Sequence, residues 1–203
     1  MKKLVLTASA ITSLAISQLS FAAYPEKSIR LVVPFATGGT SEIVARSVAN
    51  SLSTSLGQSV YVDNKPGGAG NIAMEEVKRA NPDGYTLILG HVGTLAVNPA
   101  LFGSKLPYDP NKDFAPVTLV AKVPNVIAVS SKSSFKTLAD LVADAKKNPG
   151  KINYGSAGNG SAGHLAMEYF SAVAGIDLVH VPYKGSGPML TDLIGGQIQA
   201  TFN

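Results

Sequence analysis

The junctions between apolar runs and helical patterns constrain the fold of this chain most. The first junction is "RLVVPFATGGTSEIVARSVAN", residues 30–50, where a β-branched run is followed by two glycines and then by Val44, Val48 and Leu52 at helical spacing. A helix N-terminus carries unpaired backbone N–H groups and a partial positive charge. Glycine removes the Cβ that would keep a ligand oxygen away from those amides. The junction therefore predicts an anion-binding loop.

The same arrangement recurs later in the chain. The strand pattern "KINYGS" is followed by the loop "AGNGSAG" and by the helical pattern "HLAMEYFSAVAG", which ends at Gly175. Strands and helices alternate throughout, which predicts an α/β fold with a mainly parallel sheet. We expect two lobes, residues 23–122 and 123–203, divided by the Pro-rich segment 106–124. If both glycine loops open onto one cleft, the cleft suits a solute with negative charge at two ends. Glycines at such turns also serve tight packing alone, and this alternative remains open.

Hydroxyl groups beside these loops offer directed hydrogen bonds to a ligand. They belong to Thr37, Thr40, Ser41, Ser156 and Ser161. Thr40 is also predicted to be the N-cap of the first helix, and Gly57 is expected to end it. A further helix begins after Thr137, where Asp140 three residues on completes a capping-box pattern.

The first 22 residues have the pattern of a Sec-type signal peptide. Lys2 and Lys3 precede an apolar run that extends to about Ile16, and "SFA" gives small residues before a cleavage point after Ala22. The run is short for a membrane span and is interrupted by Thr and Ser. We therefore expect export to the periplasm.

Composition narrows the chemistry. The chain is 45% hydrophobic and 15% charged, which is typical of a globular protein. It has no cysteine, which excludes disulfides, thiolate metal sites and Cys nucleophiles. The net charge is +4, of which Lys2 and Lys3 contribute half, and the remaining charge is too small and evenly spread to predict nucleic-acid binding. A mild positive balance suits small anions.

The sequence comes close to several known anion-binding and catalytic motifs, but it lacks a required residue in each. "GGTSE" lacks the lysine of a P-loop. "GNGSAG" matches G-x-G-x-x-G, but the next strand ends in Tyr183 and Lys184, with no acid for a ribose. "YGSAG" has Tyr154 where a serine hydrolase has glycine. The spacing of the three histidines fits no metal-ligand pattern, so we expect no metal and no cofactor, and His180 is expected to be packed in a strand.

Several long segments carry a resemblance to a known family. They include "YPEKSIRLVVPFATGGTSEIVAR", "VDNKPGGAGNIA", "NPDGYTLILG", "NPGKINYGSAGNGSAGHLA" and "VPYKGSGPMLTDLIGGQIQ", in this order along nearly the whole mature chain. The sequence resembles the substrate-binding receptors of tripartite tricarboxylate transporters, the Bug-type periplasmic proteins. The resemblance implies a two-lobed, Venus-flytrap fold of the type II periplasmic binding proteins. It also implies a monomer that captures a small carboxylate and delivers it to membrane permease subunits.

The resemblance places the ligand's carboxylate between the two glycine loops and assigns further contacts near the cleft. The implied ligand-binding residues are Phe35, Ala36, Thr37, Gly38, Gly39, Thr40, Ser41, Thr94, Asn98, Ser156, Ala157, Gly158, Asn159, Gly160, Ser161 and His164. The sequence itself adds Tyr183 and Lys184 as candidate ligand contacts, although "VPYKG" fits a structural turn equally well.

This sequence departs from the family pattern at several positions. Glu42 and Asn203 each stand where the family commonly has Asp, and His91 stands where a small residue is frequent. The family is also normally longer than 203 residues, so we expect the second lobe and the return of the chain to the first lobe to be incomplete. Two other hypotheses stay open: an exported α/β enzyme acting on an anionic small molecule, and a non-functional truncated remnant.

Overall fold

A computed structural model describes residues 24–203, so the predicted signal segment lies outside the described residues. The described chain alternates strands and helices, as the sequence predicts. In chain order the elements are β1 (Ile29–Val33), α1 (Thr40–Leu56), β2 (Val60–Asn64), a 3₁₀ turn (Gly68–Gly70), α2 (Asn71–Lys78), β3 (Thr86–Ile88), a π-helix (Gly93–Val97), α3 (Asn98–Phe102), a 3₁₀ turn (Gly103–Lys105), β4 (Ile127–Val129), α4 (Leu138–Lys147), β5 (Asn153–Ser156), α5 (Ala162–Ala174), β6 (Val179–Pro182), α6 (Ser186–Gly195) and β7 (Ala200–Phe202).

The first sheet has the strand order β2-β1-β3 and is parallel throughout. Parallel neighbours need a crossover connection, and α1 and α2 supply it. The central strand β1 is buried along most of its length, with Ile29 and Leu31 in one apolar cluster with Ala45 and Ala49 of α1. This packing fixes the end of β1 directly before the first glycine junction.

The second sheet has the order β4-β7-β5-β6, in which β5 runs parallel to both of its neighbours and β4 runs antiparallel to β7. The last strand, β7, therefore lies inside the sheet rather than at its edge. Tyr154 of β5, Met167 of α5 and Ala200 of β7 form a buried cluster between this sheet and α5. That cluster positions α5 immediately after the second glycine junction.

Helix ends follow the sequence signals with one exception. Thr137 and Asp140 form the predicted capping box, and Gly57 and Gly175 end their helices in left-handed conformations. The prediction of Thr40 as the N-cap of α1 is wrong, because Gly39 holds that position and no side chain caps it. The carboxylate of Glu42 instead reaches back to the amide of Gly38.

The predicted crossing segment contains no helix or strand between residues 106 and 126. Parts of it are strongly exposed, including Val117 at 82% and Leu119 at 70%. None of the helices within residues 24–203 is both long enough and apolar enough to cross a membrane.

Candidate functional site

The first glycine loop, residues 35–41, connects β1 to α1. The side-chain Nδ2 of Asn64 donates to the carbonyl of Phe35 at 2.9 Å and anchors the start of the loop. Gly38 has a φ of 84°, which an L side chain rarely adopts, and its N–H donates to Oε2 of Glu42 at 2.5 Å. Nε of Arg46 donates to Oε1 of the same carboxylate at 2.7 Å. Glu42 therefore holds the loop from inside its own helix.

The electrostatics of Glu42 follow from these two contacts. The hydrogen bond from Gly38 lowers the pKa of the Glu42 carboxyl, and Arg46 lowers it further, while burial opposes both. The residue is only 7% exposed, so little water competes for these contacts. The carboxylate stays ionised at neutral pH, and Arg46 balances its charge beside the positive end of α1.

Three further amides at this helix end are unpaired; Thr40 and Ser41 are half-buried, and Gly39 is buried. Among residues 24–203, no acceptor takes the N–H groups of Gly39, Thr40 or Ser41. They lie at the N-terminus of a helix of 17 residues. Adjacent free amides at such a helix end match the oxygens of a carboxylate or a phosphate.

The second glycine loop, residues 156–161, connects β5 to α5 and is braced by its own side chains. Oγ of Ser156 accepts from the amide of Gly158 at 3.1 Å, and Nδ1 of His164 accepts from the amide of Gly160 at 3.2 Å. Oγ of Ser161 caps α5 by accepting from the amide of His164 at 3.3 Å. The amides of Ala157 and Asn159 have no acceptor among the described residues. Ser156 is fully buried, so its hydroxyl supports the loop from behind.

A stack of rings lies behind the second glycine loop. The rings of His164 and His180 stack at 4.1 Å, and those of His180 and Tyr154 stack at 4.9 Å. The hydroxyl of Tyr154 donates to Glu168. Burial, reinforced by His164, lowers the pKa of His180 to about 4, and burial also lowers the pKa of His164. Both imidazoles are therefore neutral at neutral pH. His180 is packed in its strand, as predicted.

The pairing of Ser156 with His180 has the separation of a nucleophile and its base, since Oγ and Nε2 lie 2.7 Å apart. Ser156 has no exposed surface, however, and within residues 24–203 nothing hydrogen-bonds Nδ1 of His180. A substrate carbonyl cannot reach this hydroxyl. Nor do residues 24–203 bring three or more His, Asp or Glu side chains together in a way that could hold a metal ion.

A third glycine loop, residues 184–187, connects β6 to α6 and faces the first. The amide of Ala36 donates to the carbonyl of Lys184 at 3.0 Å. Gly187 packs so closely on the carbonyl of Thr37 that a Cβ would overlap it, and a Cβ on Gly39 would lie 3.3 Å from Cβ of Ser186. The N-termini of α1 and α6 are thereby brought together. The sequence signal for this loop is "YKGSG", which repeats the strand–glycine–helix pattern of the other two loops.

The segment from His91 to Asn98 joins the first and second glycine loops. The ring of Phe35 meets the ring of His91 edge-on at 5.1 Å. A Cβ on Gly93 would lie 2.5 Å from the carbonyl oxygen of Gly160. The hydroxyl of Thr94 exchanges hydrogen bonds with the backbone of His91, at 3.1 Å each. Thr94 is fully buried and therefore fixes the segment.

Asn98 is fully buried where this segment meets the second loop. Its Nδ2 donates to the carbonyl of Ala69 at 3.0 Å and to Oδ1 of Asn71 at 2.7 Å. Its Oδ1 has no donor among the described residues and lies 2.9 Å from the position of a Cβ on Gly160.

The structure thus brings most of the predicted residues to one band where the two sheets meet. Thr37, Asn159 and Lys184 are exposed there. The hydroxyl of Tyr183 donates to Asp192 at 2.6 Å, and burial raises the pKa of Tyr183 to about 12, so this hydroxyl is occupied within the second sheet. The band offers mainly main-chain donors, which is the chemistry of anion binding.

Comparison with known proteins identifies the class. The profile of the family described as the tripartite tricarboxylate transporter family receptor matches residues 44–203. The chain belongs to this family, as the sequence resemblance implied. A protein of Agrobacterium vitis from the ttuE-ttuC' intergenic region is 42% identical over 194 residues, covering 96% of this chain and 55% of that protein. Protein BugT of Bordetella pertussis is 38% identical over 178 residues, covering 87% and 54%.

Solved structures agree on the fold. A structure described as a periplasmic transporter is 51% identical to this chain, with a TM-score of 0.87. An R. palustris protein solved with adipate is 41% identical, with a TM-score of 0.86. Each of these matches covers 89% of this chain and 60% of the other chain. MatC from Rhodopseudomonas palustris with bound malate is 33% identical with a TM-score of 0.82, and the match covers 89% of this chain and 61% of the other. The expected periplasmic binding protein fold is confirmed. The chain spans about half the length of the curated relatives it matches.

Proposed function

We propose that this chain is a periplasmic solute-binding receptor that captures a small carboxylate for a tripartite tricarboxylate-type transporter. The observation that carries the proposal is the group of free amides of Gly39, Thr40 and Ser41 at the N-terminus of α1, held against the N-terminus of α6. Two relatives of the same fold are described with adipate and with malate, both small dicarboxylates. Main-chain amides at helix ends recognise a carboxylate whatever it is attached to, which suits a family of receptors with different ligands.

In this proposal the two glycine loops divide the ligand between them. One carboxylate accepts from the amides of residues 39–41, and the far end of the ligand meets the second glycine loop, where Ala157 and Asn159 have free amides. The hydroxyl of the exposed residue Thr37 adds a directed donor. A receptor of this kind binds without turnover. The Ser156–His180 pair does not favour the alternative of an enzyme with a serine nucleophile, since Ser156 is buried.

A thermal-shift screen tests the proposal directly. The panel contains di- and tricarboxylates, amino acids and aromatic acids, with malate and adipate among them. A ligand at 100 times its Kd stabilises the native state by about 2.7 kcal/mol, which corresponds to a rise in Tm of roughly 5–10 °C for a domain of this size. The expected result is such a shift for at least one carboxylate, with no product detected by NMR after incubation. A panel without any shift contradicts the proposal.

A matched pair of variants tests the role of the amides. Thr40 is the first residue of α1, where proline is well tolerated, and Gly39 has an extended conformation compatible with a following proline. Thr40→Pro deletes one free amide together with the hydroxyl, whereas Thr40→Ala deletes the hydroxyl alone. We expect Thr40→Pro to weaken binding of the responding carboxylate by about five- to 30-fold, and Thr40→Ala to have a clearly smaller effect. Equal affinities for the two variants would exclude the amide of Thr40 as a ligand donor.

A further inference from the structure

We propose that His164 is a positioning residue, which holds the second glycine loop through the amide of Gly160 so that the free amides of Ala157 and Asn159 face the ligand. This inference rests on the proposed function for its ligand, although the positioning contact itself is independent of it. It assigns His164 a role behind the loop, in place of the direct ligand contact that the family resemblance implies.

The hydrogen bond from Gly160 to Nδ1 of His164 is the first step. Gly160 has a φ of 75° and lies between two fixed neighbours, the N-cap Ser161 and the packed Asn98. Its N–H has only Nδ1 of His164 as an acceptor among the described residues, at 3.2 Å. Without this acceptor, a buried donor would be left unsatisfied in a tight turn. The imidazole therefore fixes the backbone at the centre of the loop.

The tautomer of His164 follows from the same contact. An imidazole nitrogen that accepts a hydrogen bond must be unprotonated. Nδ1 therefore carries no proton, and the proton of the neutral ring lies on Nε2. Nε2 lies 4.0 Å from Oε1 of Glu168, which favours a proton on that side. A second proton on the ring would occupy Nδ1 and abolish the bond to Gly160.

The surroundings of His164 oppose that second proton. His180 of β6 stacks on its ring at 4.1 Å, and Tyr154 of β5 stacks behind His180. Within residues 24–203, Glu168 of α5 is the acid that faces the stack, and Tyr154 donates to it. The segment packed on Gly160 contributes His91, whose Nδ1 accepts from the amide of Gly93. Burial lowers the pKa of His164 below its ordinary value, with Glu168 opposing, so the acceptor persists at neutral pH.

Three substitutions separate this role from others. In Asn, the side-chain oxygen can take the place of Nδ1 and accept from Gly160, but it does not titrate. In Gln, the terminal atoms lie near the place of Nε2 and cannot replace Nδ1, and Ala removes both. Calorimetric titration with malate and with adipate measures the affinity of each variant. We expect the affinity of His164→Asn to lie within about twofold of that of the unsubstituted chain, and the affinities of His164→Ala and His164→Gln to be about three- to tenfold weaker. If His164→Gln kept the affinity of the unsubstituted chain and His164→Asn did not, the proposal would be overturned.

Hydrogen exchange of the Gly160 amide provides a readout that needs no ligand. We expect protection of this amide in the unsubstituted chain and in His164→Asn, and its loss in His164→Ala. Lowering the pH through the pKa of His164 should remove protection in the unsubstituted chain but not in His164→Asn, which a merely structural role would not produce. ¹⁵N NMR of the imidazole should show the Nε2–H tautomer.

The two proposals fail in different ways. If neither malate nor adipate nor another panel acid binds, the proposed function fails, while the exchange data still decide the role of His164. Unchanged protection of Gly160 in a His164→Ala chain that melts cooperatively overturns the positioning role, even where carboxylates bind.

Discussion

At the scale of single residues, Glu42 places a carboxylate at the helix end that would bind an anion. Its oxygens already take the amide of Gly38 and the guanidinium of Arg46. The helix end is thus partly occupied by the protein's own acid, and residues 39–41 retain the amides that a ligand can use. The side chain of Glu42 is long enough to reach from α1 back to the amide of Gly38.

The first prediction concerns the charge of Glu42. Glu42→Gln should lower the free energy of unfolding by about 1–2 kcal/mol at pH 7, because it weakens a charge-assisted bond at a helix N-terminus. Because the folded-state pKa of this carboxyl is lowered, its contribution is present above the unfolded value of 4.5 and is lost as the pH falls. Urea unfolding at pH 7 and pH 3 should show the difference shrinking.

Glu75→Gln is the matched control for that substitution. Glu75 also pairs with an arginine four residues on, Arg79, but the pair is largely exposed and holds no backbone amide. Its loss should cost no more than about 0.5 kcal/mol. Equal losses for the two variants would show that the contact with Gly38 adds nothing.

The second prediction concerns the histidine stack. The pKa of His180 is lowered to about 4 from 6.5, chiefly by burial, so the unfolded chain takes up a proton in a range where the folded chain does not. The buried neutral ring of His180 therefore makes its full contribution to stability above pH 6.5, and this contribution is lost progressively as the pH falls towards 4. Urea midpoints measured at intervals from about pH 7.5 to about 4.5 should fall, and His180→Gln should flatten this slope. His164 and His91, whose pKa values are also lowered by burial, leave a smaller residual slope, so a slope of unchanged size in His180→Gln would assign the effect elsewhere.

At the scale of elements, the sequence predicts most of the helices and strands because their signals are local. Apolar spacing, the Thr137–Asp140 box and the glycines at residues 57 and 175 act within a few residues of each helix end. The pairing of the N-termini of α1 and α6 escapes prediction, because it depends on how distant parts of the chain meet. The Thr40 cap fails because Glu42 competes for the same end of α1.

The candidate site follows the same division. The glycine loops that supply amides are predictable from local pattern. The buried contacts of Asn98 with Ala69 and of Ser156 with His180 depend on partners more than 20 residues away in the sequence, so they carry no local signal. The short π-helix at Gly93–Val97 likewise has no sequence signature and is set by packing against Gly160.

The third prediction tests how α5 is seated on β7. Gly163 lies within α5, where the intrinsic helix propensity of alanine is more favourable than that of glycine by about 1 kcal/mol. A Cβ at this position would, however, overlap the carbonyl of Phe202. We therefore expect Gly163→Ala to destabilise the protein by about 1–3 kcal/mol, against the helix propensity.

Gly195 provides the control for that substitution. It is the last residue of α6, and the nearest atom to a Cβ added there would be Cγ of Gln197 at 4.0 Å. Gly195→Ala should be neutral or slightly stabilising in the same urea assay. A stabilising Gly163→Ala would mean that α5 can move away from β7 at no cost.

At the scale of the whole molecule, the two sheets meet through main-chain contacts at glycines. Gly93 lies against the carbonyl of Gly160, and Gly187 lies against the carbonyl of Thr37. Contacts of this kind have no side chain that could rotate away to relieve a clash. The distance between the glycine loops is therefore set by the backbone, and a single methyl group is enough to change it.

The last prediction uses that sensitivity. Gly187 lies in the first turn of α6, where alanine suits the helix, but its methyl group would overlap the carbonyl of Thr37. Relieving the overlap moves the first and third glycine loops apart, at a cost of about 1–3 kcal/mol to the arrangement that brings both helix ends together. If a carboxylate binds to that arrangement, Gly187→Ala should weaken its binding by about five- to 150-fold, with Gly195→Ala in the same helix close to unchanged. Calorimetry with the strongest panel ligand measures the affinity, and small-angle scattering should show a slightly larger radius of gyration for Gly187→Ala alone. Unchanged affinity and scattering together would show that the contact between these loops is not required for binding.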